Sequence, residues 1–442
     1  MKKNKKKKGF TLVELLAVIV ILAIILVIAI PQIVNTIKAS RLGAIESSAK
    51  LIASNADEYY LAQQTLDPNY TGSGVECSDV SKLSNDYESC SITYNNGKAT
   101  VKLKGAAGSK FNNIKCSGTK DNMSCQEKGA LPGYSDPVEY ITNLCNNTSG
   151  CNEGTNTSGL VKITHNDGAI VEYRYRGGTS INNIATFNGE DKGWRVVGLF
   201  EVDDGEGNVE QRIKLVRANA LGNYSWDSSA SGVNSGYGIN EWNQADLMNE
   251  LNGDYLNATE DKSWYNGTNN TQTATFTYTT KLTADAQELI GPAKWYLGGF
   301  SSNGITRDAA WEAERSGVTC QYLKSNPSEA GCLMNGTNDG VEREEYWIGK
   351  VGLIYPSDFG YASNSCSAMN RCGSNTNNWM YNYGWTISPY SSNAVRAWYV
   401  SSRSVYYNTA CNNSGVRPSV YLVSDVQIKG SGTTSDPFEF AI

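Results

Sequence analysis

An apolar run from Phe10 to Ile30 follows a lysine-rich head and contains a single charge, Glu14. At about 1.5 Å per residue, some 21 residues make a helix about 30 Å long, the thickness of a bilayer's hydrocarbon core. Lys2, Lys3, Lys5, Lys6, Lys7 and Lys8 hold its N-terminal end on the cytoplasmic side, so the chain beyond Pro31 is expected to face outward. A secretory signal peptide explains the run less well. Its apolar core is too long, and Ile28-Ala29-Ile30-Pro31 lacks a small-x-small cleavage site. A carboxylate inside a membrane helix costs about 2.5–3.5 kcal/mol on insertion scales, so Glu14 calls for a partner.

Gly9-Phe10-Thr11-Leu12-Val13-Glu14-Leu15-Leu16, with the basic leader before it and the apolar run after it, resembles the processing and methylation motif of type IV prepilins and pseudopilins. The resemblance covers Lys2 to about Ala39. It implies that a prepilin peptidase cuts after Gly9 and N-methylates Phe10. It also implies that Glu14, one helical turn from the new terminus, neutralises the amine of a neighbouring subunit as a filament grows. Pairing of Glu14 within its own chain is the alternative. Pro31 matches the helix-kinking proline of that family.

Beyond Pro31, Leu42, Ile45, Ala49, Ile52, Ala56 and Tyr59 recur at steps of three and four, one apolar helix face. Arg41, Glu46, Lys50, Asp57 and Glu58 lie largely off it. Pro68 cannot continue a helix, which is expected to end near Leu66. The pattern predicts a half-buried stem laid on a small β domain at 68–131. There Ala99, Val101 and Leu103 alternate with polar residues, and Asn95-Asn96-Gly97 supplies a hairpin turn to Ser91–Tyr94. A second turn joins Cys116 to Cys125. A long helix followed by a small antiparallel sheet is the arrangement of pilins.

The eleven cysteines contain no C-x-x-C, and with one histidine a zinc reading is weak. Their short local spacings predict disulfides formed in an oxidising compartment: Cys77–Cys90, Cys116–Cys125, Cys145–Cys151 and Cys320–Cys332. Cys366, Cys372 and Cys411 form a group whose pairing stays open, with one thiol left over. Without the six leader lysines, 32 basic residues face 44 acidic ones. A nucleic-acid partner needs a basic stripe, and no comparable run exists elsewhere, so none is expected.

All ten tryptophans fall in the large region 132–442. Trp194–Phe200 and Val209–Arg217 are expected to pair around the acidic turn Asp203–Asn208, which lacks EF-hand ligand order and reads as a solvated hairpin tip. Asn240 is the expected cap of a short helix using Trp242, Met248 and Leu251. Val420, Leu422, Val426, Ile428, Phe438 and Phe440 suggest closing strands. Trp385-Thr-Ile-Ser-Pro389, Ala394-Val-Arg-Ala-Trp398 and Gly415–Leu422 resemble an uncharacterised domain of Gram-positive surface proteins, which we associate with the fold of C-type lectins and formylglycine-generating enzymes. The likeness spans about Tyr173 to Phe440. The calcium-binding Glu-Pro-Asn or Gln-Pro-Asp triplet of such lectins is absent. Cys366, Cys372 and Cys411 mimic only loosely the copper-binding cysteines of such enzymes.

His165 sits in a His-Asn-Asp-Gly turn, no G-x-S-x-G, Walker A or G-x-G-x-x-G sequence occurs, and no carboxylate pair stands out. The chain is therefore expected to have no enzymatic activity, no metal and no cofactor. Most tryptophans should be core anchors, while exposed aromatics with Asn, Asp and Gly could stack on and bind sugars.

The expected protein is α+β: leader 1–9, pilin helix 10–67 with its membrane span at 10–30, β head 68–131, and a loop-rich lectin-like or adhesin-like domain at 132–442. It would be a single-pass membrane prepilin and then a minor or tip subunit of a surface filament. Its partners would be the peptidase, other pilins, the membrane, and a glycan or host protein. A membrane-tethered binding module is one alternative; an enzyme displayed on a pilin stem is another.

Overall fold

A computed structural model describes residues 12–442 apart from 73, 96, 107–108, 113, 128–130, 132, 148–150, 152–157, 229–233, 258–261, 266–270, 275–280, 317–332 and 335–336, with the side chains of 12–35, 38, 126–127, 147, 167, 262–265, 271–274, 333–334 and 337–338 also outside the described set. The chain divides into two compact units, Met1–Gly129 and Ala130–Ile442.

In the first unit, helix α1 runs from Leu12 to Leu66, ending just before Asp67-Pro68. Strands β1 (Tyr87–Asn95), β2 (Lys98–Gly105), β3 (Ile114–Gly118) and β4 (Met123–Glu127) form an antiparallel meander in chain order. The β1–β2 hairpin has the expected register, with Ser91 opposite Lys102 and Tyr94 opposite Ala99. Ile45, Ala49, Ile52, Ala53 and Ala56 of the stem pack with Ile92, Val101, Leu103, Phe111 and Ile114. The face ends on Tyr60 rather than Tyr59, because the 3.6-residue period drifts and brings Tyr60 over Tyr94, with ring centroids 4.8 Å apart. Polar clasps fix the contact: Asp57 Oδ1 accepts the Ala99 N–H at 2.7 Å, and Tyr94 Oη donates to the Ala56 carbonyl at 2.9 Å.

The second unit is built on a seven-stranded antiparallel sheet. Its path runs from Val351–Gly352 through Ser419–Tyr421, β9 (Val209–Arg217), β8 (Glu190–Asp203) and β6 (Ile170–Arg176) to β5 (Gly159–His165), with β7 (Ile184–Phe187) paired to β8. The predicted β8–β9 hairpin is present, Trp194 lying opposite Arg217. A bulge interrupts β8 between Val196 and Gly198, and a Cβ at Gly198 would meet the Tyr173 carbonyl at 2.0 Å. Only glycine allows β6 so close. A three-stranded sheet, Gly384–Pro389, Arg396–Ser401 and Ser404–Thr409, adds a second layer.

Tryptophans fasten these layers. Their indole N–H groups donate across long sequence separations: Trp226 to Thr386, Trp385 to Tyr224, Trp379 to Tyr175 and Trp398 to Phe300, each to a carbonyl at 2.8–3.1 Å. Each ring therefore fills core volume while its one polar atom finds a partner. The closing strands pair Gln427–Lys429 with Glu439–Ala441, and Ser135 bridges to Ile428, tying the unit's start to its end. Asn240 does not cap a helix. Its amide donates to the Asn393 and Arg396 carbonyls at 2.7 and 2.9 Å, and the turn Trp242–Gln244 is capped by Glu241 instead.

Neighbouring stem residues provide a test of the packing. Ile52 is 2 % exposed and Leu51 59 %. Ile52→Ala should destabilise the first unit by about 2–4 kcal/mol, whereas Leu51→Ala should leave it within about 0.5 kcal/mol. Hydrogen exchange of the β2 amides measures this; equal protection in both variants would contradict the packing.

Candidate functional site

Two places carry candidate chemistry. The first is the N-terminal segment. Gly9, Phe10 and the side chain of Glu14 lie outside the described residues, as do the side chains of the expected span. Among residues whose side chains are described, no helix is long and apolar enough to cross a membrane.

The cysteines come next. Disulfides join Cys77 to Cys90, Cys116 to Cys125 and Cys145 to Cys151. In the open group, Cys366 pairs with Cys372 and Cys411 remains a buried thiol, pushed up by that burial. Cys366 and Cys372, two of the three cysteines set beside the formylglycine type, are thus joined to each other. Cys320 and Cys332 lie outside the described residues.

The second place is the middle of the second unit, where charged side chains converge inside the protein. Asp358 lies in the first turn of the helix Pro356–Ala362 and is 1 % exposed. Its Oδ1 accepts from Arg174 Nη1 at 2.7 Å, and its Oδ2 from Lys214 Nζ at 2.6 Å and the Tyr355 N–H at 2.9 Å. Arg174 reaches back through Nε to Glu172 at 2.7 Å. Glu172 also takes the Trp311 indole N–H at 3.2 Å and faces Arg315 at 3.7 Å. His165, at the end of β5, stacks on Trp311 with centroids 3.9 Å apart, its Nε2 3.2 Å from Glu172. His165 thus leads into the expected turn, Asn166–Gly168, while its ring is a buried member of this cluster. Burial alone would raise the Glu172 carboxyl, but Arg174, the His165 hydrogen bond and Arg315 hold it well below the usual range.

Other acids shift upward. Burial pushes Asp227, Glu241 and Glu314 up to about 7 each, against the hydrogen bonds they accept. At the tip of β8–β9, Asp203 and Asp204 accept the backbone N–H groups of Gly205, Glu206 and Asn208. Those contacts hold their own turn, and Asp203 also faces Lys294 at 3.5 Å.

The surface offers a hollow of about 480 Å³ lined by Tyr175, Ser180, Asn182, Asn364, Thr376 and Ser431 over Leu160 and Ile181. Among the described residues its lining carries hydroxyls and amides and no charged side chain. Among the described residues eight tryptophans are buried, and the exposed rings are Tyr237, Tyr346, Tyr381, Tyr406 and Tyr407. Sequence reasoning missed the charged cluster because Glu172, Arg174 and Lys214 alternate with apolar residues, the signature of a solvated strand face.

Residues 4–30 match the prokaryotic N-terminal methylation motif. No curated protein and no solved structure matches the chain. The segment is a type IV prepilin-like methylation motif, and it implies a membrane-anchored prepilin processed by a prepilin peptidase and assembled with other pilins into filaments.

The raised acids set a pH dependence. Their folded values near 7 exceed unfolded values near 4, so the folded state binds the extra protons. Their contribution to stability is then fully present below about pH 4 and falls as pH rises from about 4 to about 7, by up to about 1.4 kcal/mol per unit for each group. Glu172 and Asp358 are lowered, and their contribution is constant above pH 5. Since every tryptophan lies in the second unit, thermal melting followed by tryptophan fluorescence should give a higher Tm at pH 5 than at pH 8, with a smaller difference in Asp227→Asn. A Tm that is unchanged or higher at pH 8 would contradict this.

Proposed function

We propose that this protein is a low-copy or tip subunit of a type IV pilin-like filament, displaying its second unit as a ligand-binding, lectin-like head. The observation that carries the reading is the methylation motif at 4–30 running directly into one continuous helix, Leu12–Leu66, clasped by a disulfide-stapled sheet. A cleaved and methylated Phe10 would enter a helical bundle, with Glu14 supplying the counter-charge for a neighbour's amine. The second unit, residues 130–442, is far larger than the first. A head of that size would have to clear every neighbour in a helical lattice, which favours a tip or sparse position over an abundant one.

A neutral carbohydrate is the ligand class the second unit suits best. Hydroxyl and amide groups over an apolar floor, as in the 480 Å³ hollow, match sugar hydroxyls and ring faces without a charge to desolvate. A membrane-tethered binding module that uses the leader only as an anchor is the second reading, favoured by the same hollow without reference to assembly.

Two experiments divide these readings. Glu14→Ala removes an intramembrane charge, so insertion and cleavage after Gly9 should persist. An unpaired amine buried in each contact costs about 3–5 kcal/mol, weakening each addition by roughly several hundredfold or more. The variant should therefore be scarce in sheared filaments; normal incorporation would leave only the tethered module. A glycan array probed with the purified protein should retain a neutral glycan, and Asn364→Ala should weaken it about tenfold, the loss of one hydrogen bond. No retention, or retention indifferent to Asn364, would sink the carbohydrate reading.

A further inference from the structure

Lys214 sits mid-strand in β9, fully shut off from solvent. Four aromatic rings surround its Nζ: Tyr355 at 4.5 Å, Trp295 and Tyr421 at 5.1 Å and Phe200 at 5.9 Å from the centroids. An ammonium has three protons to donate, and among the described residues the acceptor it meets is Asp358 Oδ2 at 2.6 Å. Asp358 cannot swing away, because Arg174 Nη1 holds Oδ1 and the Tyr355 N–H holds Oδ2. An amine and a carboxyl are thus fixed against each other in a dry aromatic cage, where well-oriented intramolecular reactions reach effective molarities of about 10⁵–10⁸ M.

We propose that Lys214 and Asp358 condense after folding, forming an amide that bonds β9 to the helix Pro356–Ala362. A proton first passes from Nζ to Oδ2 along their hydrogen bond, leaving a neutral amine and a neutral acid. Burial disfavours the ammonium and so lowers Lys214. The Nζ lone pair then attacks Cγ. The new N–C bond pushes the carbonyl electron pair onto Oδ1, where the Arg174 guanidinium stabilises it. When that pair returns, the Cγ–Oδ2 bond breaks, and Oδ2 leaves as water with a second proton from Nζ. Ammonium plus carboxylate gives amide plus one water, with no oxidant, reductant or other reactant.

The surroundings suit both ends of the reaction. A hollow of about 30 Å³, lined by Glu172, Phe200, Tyr355 and Tyr421 among others, borders the cage and has room for the released water. Arg174 keeps Glu172 at 2.7 Å once Asp358 has lost its charge, so no cation is stranded. Before reaction Asp358 rests as a carboxylate. Lys214 and Arg174 hold it below its ordinary range against the pull of burial. The neutral pair is therefore a minor species, and condensation is a slow single event.

The test uses the mature full-length protein, reduced and digested. Peptide mass mapping should find a branched peptide joining the Lys214 segment to the Asp358 segment, lighter by one water than the two together. On a denaturing, reducing gel the wild type should run ahead of Lys214→Arg, because the bond closes a loop spanning 144 positions. Recovery of the two peptides separately, with both side chains intact, would show a plain salt bridge and overturn the proposal. Should Lys214→Arg fail to accumulate, the wild-type map alone decides.

Discussion

The second unit turns on one carboxylate. Asp358 gathers Arg174 from β6, Lys214 from β9 and the Tyr355 backbone N–H, so a helix start and two sheet strands share a single anchor. Charges withdrawn from water this completely are tolerated only when each has its counterpart at hydrogen-bond distance. That requirement extends outward: Arg174 needs Glu172, and Glu172 draws in His165, Trp311 and Arg315. Remove one member and an uncompensated charge remains inside the fold. The cluster therefore sets the register between sheet and helix more strictly than apolar packing would, since apolar surfaces can slide by small amounts whereas a forked guanidinium cannot.

How much of this was legible in the sequence depends on how local the cause is. The stem could be read because a 3.6-residue period and Pro68 act within a few turns, and only its last contact slipped, from Tyr59 to Tyr60. The β1–β2 and β8–β9 hairpins could be read because alternation and turn residues lie side by side. The charged cluster could not. A strand reading Glu172-Tyr-Arg174-Tyr-Arg176 looks half-solvated unless one knows that a helix from 180 residues downstream covers that face. Asn240 misled for the same reason, its amide being claimed by carbonyls 150 positions away. Of the candidate residues, the pairs Cys77–Cys90, Cys116–Cys125 and Cys145–Cys151 were visible through short spacing, while the hollow near Asn182 and Asn364 is assembled from distant loops that no local pattern announces.

The two units answer the cost of chain entropy differently. The first has a small apolar cluster and fastens it with two disulfides and backbone clasps from Asp57 and Tyr94. A unit of that size buries a modest fraction of its surface, and cross-links that restrict the unfolded chain by about 2–3 kcal/mol each matter accordingly. The second unit buries a far larger continuous core, with tryptophan rings as both volume and fasteners, and among the described residues its exposed rings are tyrosines.

The spacing of the disulfides has a consequence for how the chain matures. The four bonds among the described residues close separations of 13, 9, 6 and 6 positions. None waits for a distant strand. A chain emerging through a membrane from its anchored end can therefore oxidise each pair as soon as a short stretch has cleared, before the next pair appears. Mispairing is limited by order of arrival rather than by a search among partners. Cys411 emerges last of the eleven, after the four described pairs have had the chance to close, and folding then seals it inside.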